Sequence, residues 1–471
     1  MYRFLISGLI FFFVFPARAQ NQEFDLNQCI EYAIQNAIVV QNSKLDERYA
    51  NAKVRETTGL GLPQISGNVS IGHNQQLRRF FTAYSPNSFF FGGQSVPGLN
   101  DGDVVSANNF FQLKSSGDAG VNISQLVFSG SYFVGLQASQ ALRELSVKNT
   151  NQKTVDLVEQ VTKGYYLVLI NRERINLFDK NISRLDTLLR NTMQLQEQGF
   201  AELIDVDRLR VALNNLHTER EKFNGLLSLS VELLKFQMNY PMDQPLTVNG
   251  DISSLEPSND INAYSGGVDY ERRPEFQVLQ VNEKLQRINL KYQYAQAIPS
   301  IVAIGNLGYA TQSPDLMGLF QTNTNLSDNG QFGPDSWYAY KFFGLNVSVP
   351  LFSGTQRAYK IQQEKINLLK IENGMKQLKA GVDLEARQAM ISYRNGISSM
   401  AAQKQNMALA ENIAKVAQIK YEQGLGSNLE VIDAETSLKE SQINYYNALY
   451  DALVARVNLD KAYGNLYEVN K

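Results

Sequence analysis

Val121-Asn-Ile-Ser-Gln-Leu-Val-Phe-Ser-Gly130 and Leu345-Asn-Val-Ser-Val-Pro-Leu-Phe-Ser-Gly354 carry Asn, Ser, Phe, Ser and Gly in register, 224 residues apart. Each closes a run of alternating residues and opens a long tract without proline. After the first copy no proline occurs until Pro241, and after the second none occurs before Lys471. Proline removes a backbone donor and clashes with the preceding turn, so such tracts permit unbroken helix. Residues 131–198 would then span about 100 Å at roughly 1.5 Å per residue. That is far more helix than a globular domain needs. The sequence predicts a strand feeding a very long helix, built twice.

Working outward, both halves follow one order: helix, proline, strand, polar loop, strand, long helix, glycine turn, return helix. Helical pattern runs from about Leu26 to Thr58 before Leu62-Pro63, and from about Pro274 to Ala297 before Ile298-Pro299. A repeat of this length is a duplication rather than a solenoid of short units. The expected organisation is a signal peptide over 1–19, a first repeat over 20–240 and a linker over 241–272. A second repeat over 273–459 and a C-terminal segment over 460–471 follow.

The strands alternate. Ile65, Gly67, Val69 and Ile71 oppose Ser66, Asn68 and Ser70; Phe343, Leu345, Val347, Val349 and Leu351 oppose Gly344, Asn346 and Ser348. Their partners are 119–128 and 300–310. About ten residues is the length a tilted strand needs to cross a hydrocarbon core. One apolar and one polar face suit lipid outside and water inside; they suit equally a soluble antiparallel sheet with one wet face. The loops 75–112 (with Phe80, Phe81, Phe89, Phe90, Phe91, Gly92 and Gly93) and 311–337 lie at one end of the strands. Long loops at one end fit the outer face of a membrane barrel. Their aromatics either sit at the membrane interface or pack the loops. Four strands cannot close a barrel, because the smallest closed ones need about eight. An open edge in lipid leaves backbone groups unpaired. If these strands cross a membrane, several chains share one barrel.

Residues 1–19 read as a secretory signal: Arg3, an apolar run from Phe4 to Phe15 broken by Ser7 and Gly8, and Ala17-Arg18-Ala19 as a cleavage site before Gln20. No later run reaches the roughly 18 apolar residues of a spanning helix. Without Arg3 and Arg18, 42 basic residues face 46 acidic ones, a net charge of −4, which argues against nucleic acid as a partner. The one cysteine, Cys29, excludes an internal disulfide and reads as a packed helix residue. His73 and His217 stand far apart and the nine methionines form no cluster. No metal site, Ser-His-Asp arrangement, phosphate loop or cofactor site can be assembled, so the chain reads as a non-enzyme.

Phe178, Ile182, Leu185 and Leu189, then Val206, Leu209, Leu213 and Leu216, repeat at spacings of three and four. They predict helices packed side by side with one wet face. At the far ends stand Gln196-Glu-Gln-Gly199-Phe-Ala-Glu-Leu-Ile-Asp205-Val206 and Tyr421-Glu-Gln-Gly424-Leu-Gly-Ser-Asn-Leu-Glu430-Val431. Glycine there takes the left-handed conformation that ends a helix, and Ser427 or Asn428 caps the next one. Glu430 and Asp433 share a helix face, with Asp205 in the matching place of the first half. Acids in a first turn complement the helix dipole; repeated around a symmetry axis, they would form a ring that attracts cations.

Together these features resemble the TolC family of outer membrane efflux proteins over nearly the whole mature chain. The carrying residues are Phe128 to Gly130, Phe352 to Gly354, Pro63, Pro299 and the two glycine tips, above all Tyr421 to Asp433. The resemblance implies a mainly helical chain with membrane strands: long antiparallel hairpins forming a periplasmic α-barrel, and four strands contributing to a 12-stranded outer-membrane β-barrel shared by a homotrimer. A mixed band would come from 240–272 and the C-terminal segment. It further implies passive conduction of cargo from an inner-membrane pump or ABC transporter through a periplasmic adaptor, in contact with outer-membrane lipid. By the same resemblance Glu430 and Asp433 ring the entrance, Gly199 and Gly424 meet the adaptor, and Asp205 and Tyr421 belong to the network that holds the entrance shut. Gly426 replaces the arginine of the best-known member, so an Asp205–arginine bridge there is unavailable. The alternative is a coiled-coil structural or adhesive protein of the cell surface, which leaves the amphipathic strand pairs and matched tips unexplained.

Overall fold

The computed structural model describes residues 23–88, 91, 95–109, 111–257, 264 and 266–467. The signal-like segment and the loop residues Phe89, Phe90, Gly92 and Gly93 lie outside these. In chain order the elements are β1 (Glu23–Phe24), α1 (Leu26–Asn36), α2 (Ile38–Gly59), β2 (Gln64–His73), β3 (Phe80–Ala83) and β4 (Val104–Ala107). Next come β5 (Ser115–Ser129), α3 (Gly130–Glu197), α4 (Leu203–Met238), β6 (Thr247–Val248) and α5 (Pro274–Ala295). The last are β7 (Ser300–Ser313), β8 (Tyr338–Ser348), α6 (Gln356–Glu422) and α7 (Asn428–Ala462). They form two compact units: Met1–Ala50, Arg143–Lys284 and Leu369–Lys471 in one, Asn51–Leu142 and Leu285–Leu368 in the other.

The strand unit holds one antiparallel sheet in the order β2-β5-β7-β8. Its central pair, β5 with β7, joins the two halves of the sequence, and β2 and β8 are its edges. Register sorts the side chains cleanly. Asn68, Asp118, Asn122 and Tyr340 share one face: Asn68 Nδ2 donates to Asp118 Oδ1 (2.9 Å), Asn122 Nδ2 to Asn68 Oδ1 (3.0 Å), and Tyr340 Oη to Asp118 Oδ2 (2.9 Å). A Cβ on Gly308 would lie 2.7 Å from the Tyr340 hydroxyl, so glycine there admits the ring. Ile65, Val69, Val121, Phe343, Leu345 and Val347 occupy the other face and are exposed.

The two near-copies fold differently. Ser129 ends β5 and caps α3 at once, its Oγ accepting from Tyr132 N at 3.3 Å. In the second copy β8 stops at Ser348, so Val349 and Leu351 fall outside the expected strand. Pro350 has no amide hydrogen to continue a ladder, and Gly354 turns the chain at φ 62° before α6. A further departure lies in the first loop, which contains the β3–β4 hairpin; Tyr84 behind it is buried, its hydroxyl accepting from Val96 N at 2.6 Å.

The helical unit packs Cys29, Ala33 and Val40 against Val161, Leu169, Leu234 and Leu449. Burial and the nearby Asp25 charge push the Cys29 thiol up to about 12, so it stays protonated and unreactive. The expected helix over 26–58 is broken at Ala37, which is extended (φ −61°, ψ 129°). The Asn36 carbonyl, released from the helix, accepts from Asn239 Nδ2 at 3.0 Å. The parallel pair of β1 with β6 ties the start of the described chain to the segment after α4. Arg273, 4 % exposed, donates to Ala462 O (2.8 Å), Lys461 O (3.2 Å), Glu275 (3.2 Å) and Glu385 (2.8 Å). It thereby closes the end of α7 onto the start of α5.

Candidate functional site

The helical hairpins α3–α4 and α6–α7 both turn on glycine. Gly199 has φ 77° and Gly424 φ 72°, the left-handed region that side-chain-bearing residues avoid. The amide of Phe200 bonds to Leu195 O (2.8 Å) and that of Leu425 to Lys420 O (2.8 Å), closing loose carbonyls in the same way at both tips. Ser427, not Asn428, caps α7; its Oγ accepts from Glu430 N at 3.2 Å. Glu202 stands at the corresponding place before α4 without a side-chain cap. Phe200 (79 % exposed) and Leu425 (78 %) directly follow the two glycines and present bare apolar surface.

Asn428 has a different task. It is buried, and its Nδ2 donates to the Asp205 carbonyl at 2.8 Å, joining the start of α7 to the start of α4. Its Oδ1 has no hydrogen-bond partner among the described residues. One turn back along the other helices, Tyr421 Oη and the buried Thr192 Oγ1 lie 2.9 Å apart. Tyr421 thus bonds to Thr192 rather than to Asp205, whose carboxylate lies 3.7 Å from Arg208. Tyr421 packs on the cluster of Leu189, Val206 and Val431, while Asp205, next to Val206 in the chain, is held through its carbonyl by Asn428; no hydrogen bond joins Asp205 to Tyr421 among the described residues. Farther along, Arg184 pairs with Glu435 (3.1 Å), Asn181 Nδ2 donates to Gln442 Oε1 (3.0 Å) and Lys439 pairs with Glu219 (3.1 Å).

Glu430 and Asp433 are both exposed, and both line one groove of about 600 Å3 between α6 and α7. Ile413, Val416 and Ala434 form its apolar wall, and Lys420 is the cation beside the two acids. A Cβ on Gly426 would lie 3.3 Å from Glu430 Oε2 and 3.1 Å from Lys420 Cβ, so the bare glycine leaves room for the Glu430 carboxylate. Two carboxylates and one ammonium give this groove a net negative lining. Thr192, Asn428 and Arg184 were not picked out as contacts by the sequence. Their signal, polar residues on the buried stripe of a hairpin, reads the same as a solvated face until the helices are rotated into place.

A sequence profile described as "Outer membrane efflux protein" matches residues 270–465. The outer membrane protein TolC of Vibrio cholerae is 22% identical over 362 residues, covering 74% of this chain and 77% of that protein. The probable efflux pump outer membrane protein TtgC of Pseudomonas putida is 24% identical over 332 residues, 68% of this chain and 63% of that one. Among solved structures, CusC superposes with a TM-score of 0.71 at 17% identity, over 93% of this chain and 91% of that chain. The Campylobacter jejuni CmeC outer membrane channel superposes at 0.68 and 15% identity, over 95% and 87%. These structures share the long helical hairpins and the four antiparallel strands.

Proposed function

We infer that this chain, which belongs to the outer membrane efflux protein family, is the outer-membrane channel of a tripartite efflux pump. It works with pump partners and catalyses no reaction. The observation that carries this reading is the sheet: one face polar, one apolar, with β2 and β8 left as open edges. Unpaired edges are not tolerated in lipid. Three copies, β8 of each against β2 of the next, make a closed wall of twelve strands from the four in each chain. Asn68, Asp118 and Tyr340 then line the water-filled side.

In the same homotrimer the paired hairpins build the periplasmic tunnel, with 20–240 and 273–459 as its two repeats, and residues 1–19 direct export. The segment 241–272 and the C-terminal segment 460–471 form the band around it. Glu430 and Asp433 ring the entrance. Asp205 and Tyr421 belong to the closed-state contacts, with Thr192 and Asn428 in place of an arginine bridge. Gly199 and Gly424, with Phe200 and Leu425 exposed beside them, meet a periplasmic adaptor coupled to an inner-membrane pump or ABC transporter. A surface coiled coil would have no use for the apolar sheet face or for two matched tips.

The tips test this reading. Cells relying on Gly199→Glu, Gly424→Glu chain should accumulate a fluorescent pump substrate to the level of cells lacking the chain, with trimer abundance unchanged. Non-glycine residues at positive φ cost about 1 kcal/mol each, too little to unfold the hairpins. Normal export by this variant would reduce both glycines to helix caps and remove the adaptor contact.

A further inference from the structure

The four-stranded sheet carries two formally charged side chains besides His73, one on each face. Asp118 is on the polar face, held by Asn68 and Tyr340. Lys341 is on the apolar face. Register places it beside Leu307, which faces Val121, which faces Gly67. The neighbouring row toward the loops is Ala339, Tyr309, Ala119 and Val69. Because Gly67, Ala119 and Ala339 are small, these two rows leave a groove of about 500 Å3, with Lys341 on its rim. Lys341 is exposed and has no ion-pair partner among the described residues.

A neighbouring copy cannot supply that partner from its wall. The apolar face of β2, which would pack on β8, consists of Ile65, Gly67, Val69, Ile71 and His73, and no strand bears an acid on this face. The position along the strand is equally telling. Below Lys341 the face is apolar through Phe343, Leu345 and Val347 to the end of β8. At about 3.3 Å per residue and a tilt of about 40°, Lys341 to Val347 rises roughly 15 Å, more than half the height of a barrel's apolar band, which is about 25 Å. Lys341 thus stands in the half of that face nearest the long loops, one row from the exposed Tyr309 ring, with Val69 and Ile71 the last apolar residues beyond it. A lysine toward that end extends its apolar stem along the wall and its ammonium toward the headgroups. The outer leaflet of an outer membrane is built of multiply acylated, phosphorylated glycolipid.

We propose that Lys341 and the groove beside it form a binding site for this outer-leaflet lipid. The ammonium holds a headgroup phosphate, and an acyl chain lies along the small-residue rows. The site rests on the membrane-barrel reading above. Full-length protein in detergent, titrated with bis-phosphorylated lipid A and with the same lipid stripped of phosphate, tests it by native mass spectrometry. Wild type should bind the phosphorylated form roughly tenfold more tightly, the effect of one charge-assisted hydrogen bond. Lys341→Gln should bring the two lipids to near parity, and Lys341→Arg should keep the preference. Equal binding of both lipids by wild type, or an undiminished preference in Lys341→Gln, overturns the proposal. A parallel conductance recording separates the two readings. A conducting trimer that ignores the phosphate refutes the lipid site alone; a wild-type protein that neither conducts nor forms trimers refutes the barrel and the site with it.

Discussion

Replacing Glu430 and Asp433 together with alanine is expected to lower the cation-over-anion permeability ratio of the reconstituted channel roughly fivefold at low salt. Both acids are exposed and line the same groove, so one copy alone would be screened within about 10 Å at 0.1 M salt. In the proposed homotrimer, three copies around an axis would bring six carboxylates to one passage, where their fields would add if the passage is narrow. Lys420 on the same groove offsets part of that charge, which is why removing both acids should matter more than removing either one. Block by trivalent cations should weaken in parallel. Reversal potentials in a salt gradient supply the measurement. A ratio unchanged in the double variant would mean that the two acids serve only the first turn of α7, where acidic residues complement the helix dipole.

Arg273→Met is expected to destabilise the helical unit by about 2 kcal/mol, read from equilibrium denaturation followed by helical circular dichroism. The ion pairs supply little of this loss. Glu385 is nearly half exposed, and exposed pairs contribute about 0–1 kcal/mol. The loss rests on the Ala462 carbonyl at the end of α7, which loses its donor inside the protein, whereas the Lys461 carbonyl keeps the Gly464 amide at 2.9 Å. An unsatisfied buried acceptor costs about 1–3 kcal/mol. Arg273→Lys should be intermediate, since an ammonium lacks the planar fork that spans carbonyls and carboxylates at once. Stability equal to wild type in Arg273→Met would show that water replaces the guanidinium without penalty.

Much of this architecture is legible in the residues. Proline-free tracts after Gly130 and Gly354 announce α3 and α6, and Gly199 and Gly424 mark the turns that end them. These are local signals: a missing proline and a left-handed glycine act on their own stretch of chain. The period-two alternation of 343–347 likewise reports the faces of β8 before its partners are known. What escapes the sequence depends on distant partners. The break at Ala37 needs Asn239, some two hundred residues away, to take the freed Asn36 carbonyl. The Thr192–Tyr421 and Asn428–Asp205 bonds need both hairpins docked and rotated. The matched pair of strand ends also overstated the symmetry: Ser129 leads straight into a helix, whereas Pro350 stops its strand early.

The claim on which the rest depends is that several copies of this chain close one wall from open-edged sheets. Electron microscopy of the detergent-extracted protein tests it most directly. End-on averages with threefold symmetry around a solvent-filled axis are the predicted result. Single chains, or particles with a solid centre, would contradict the shared barrel and with it the duct.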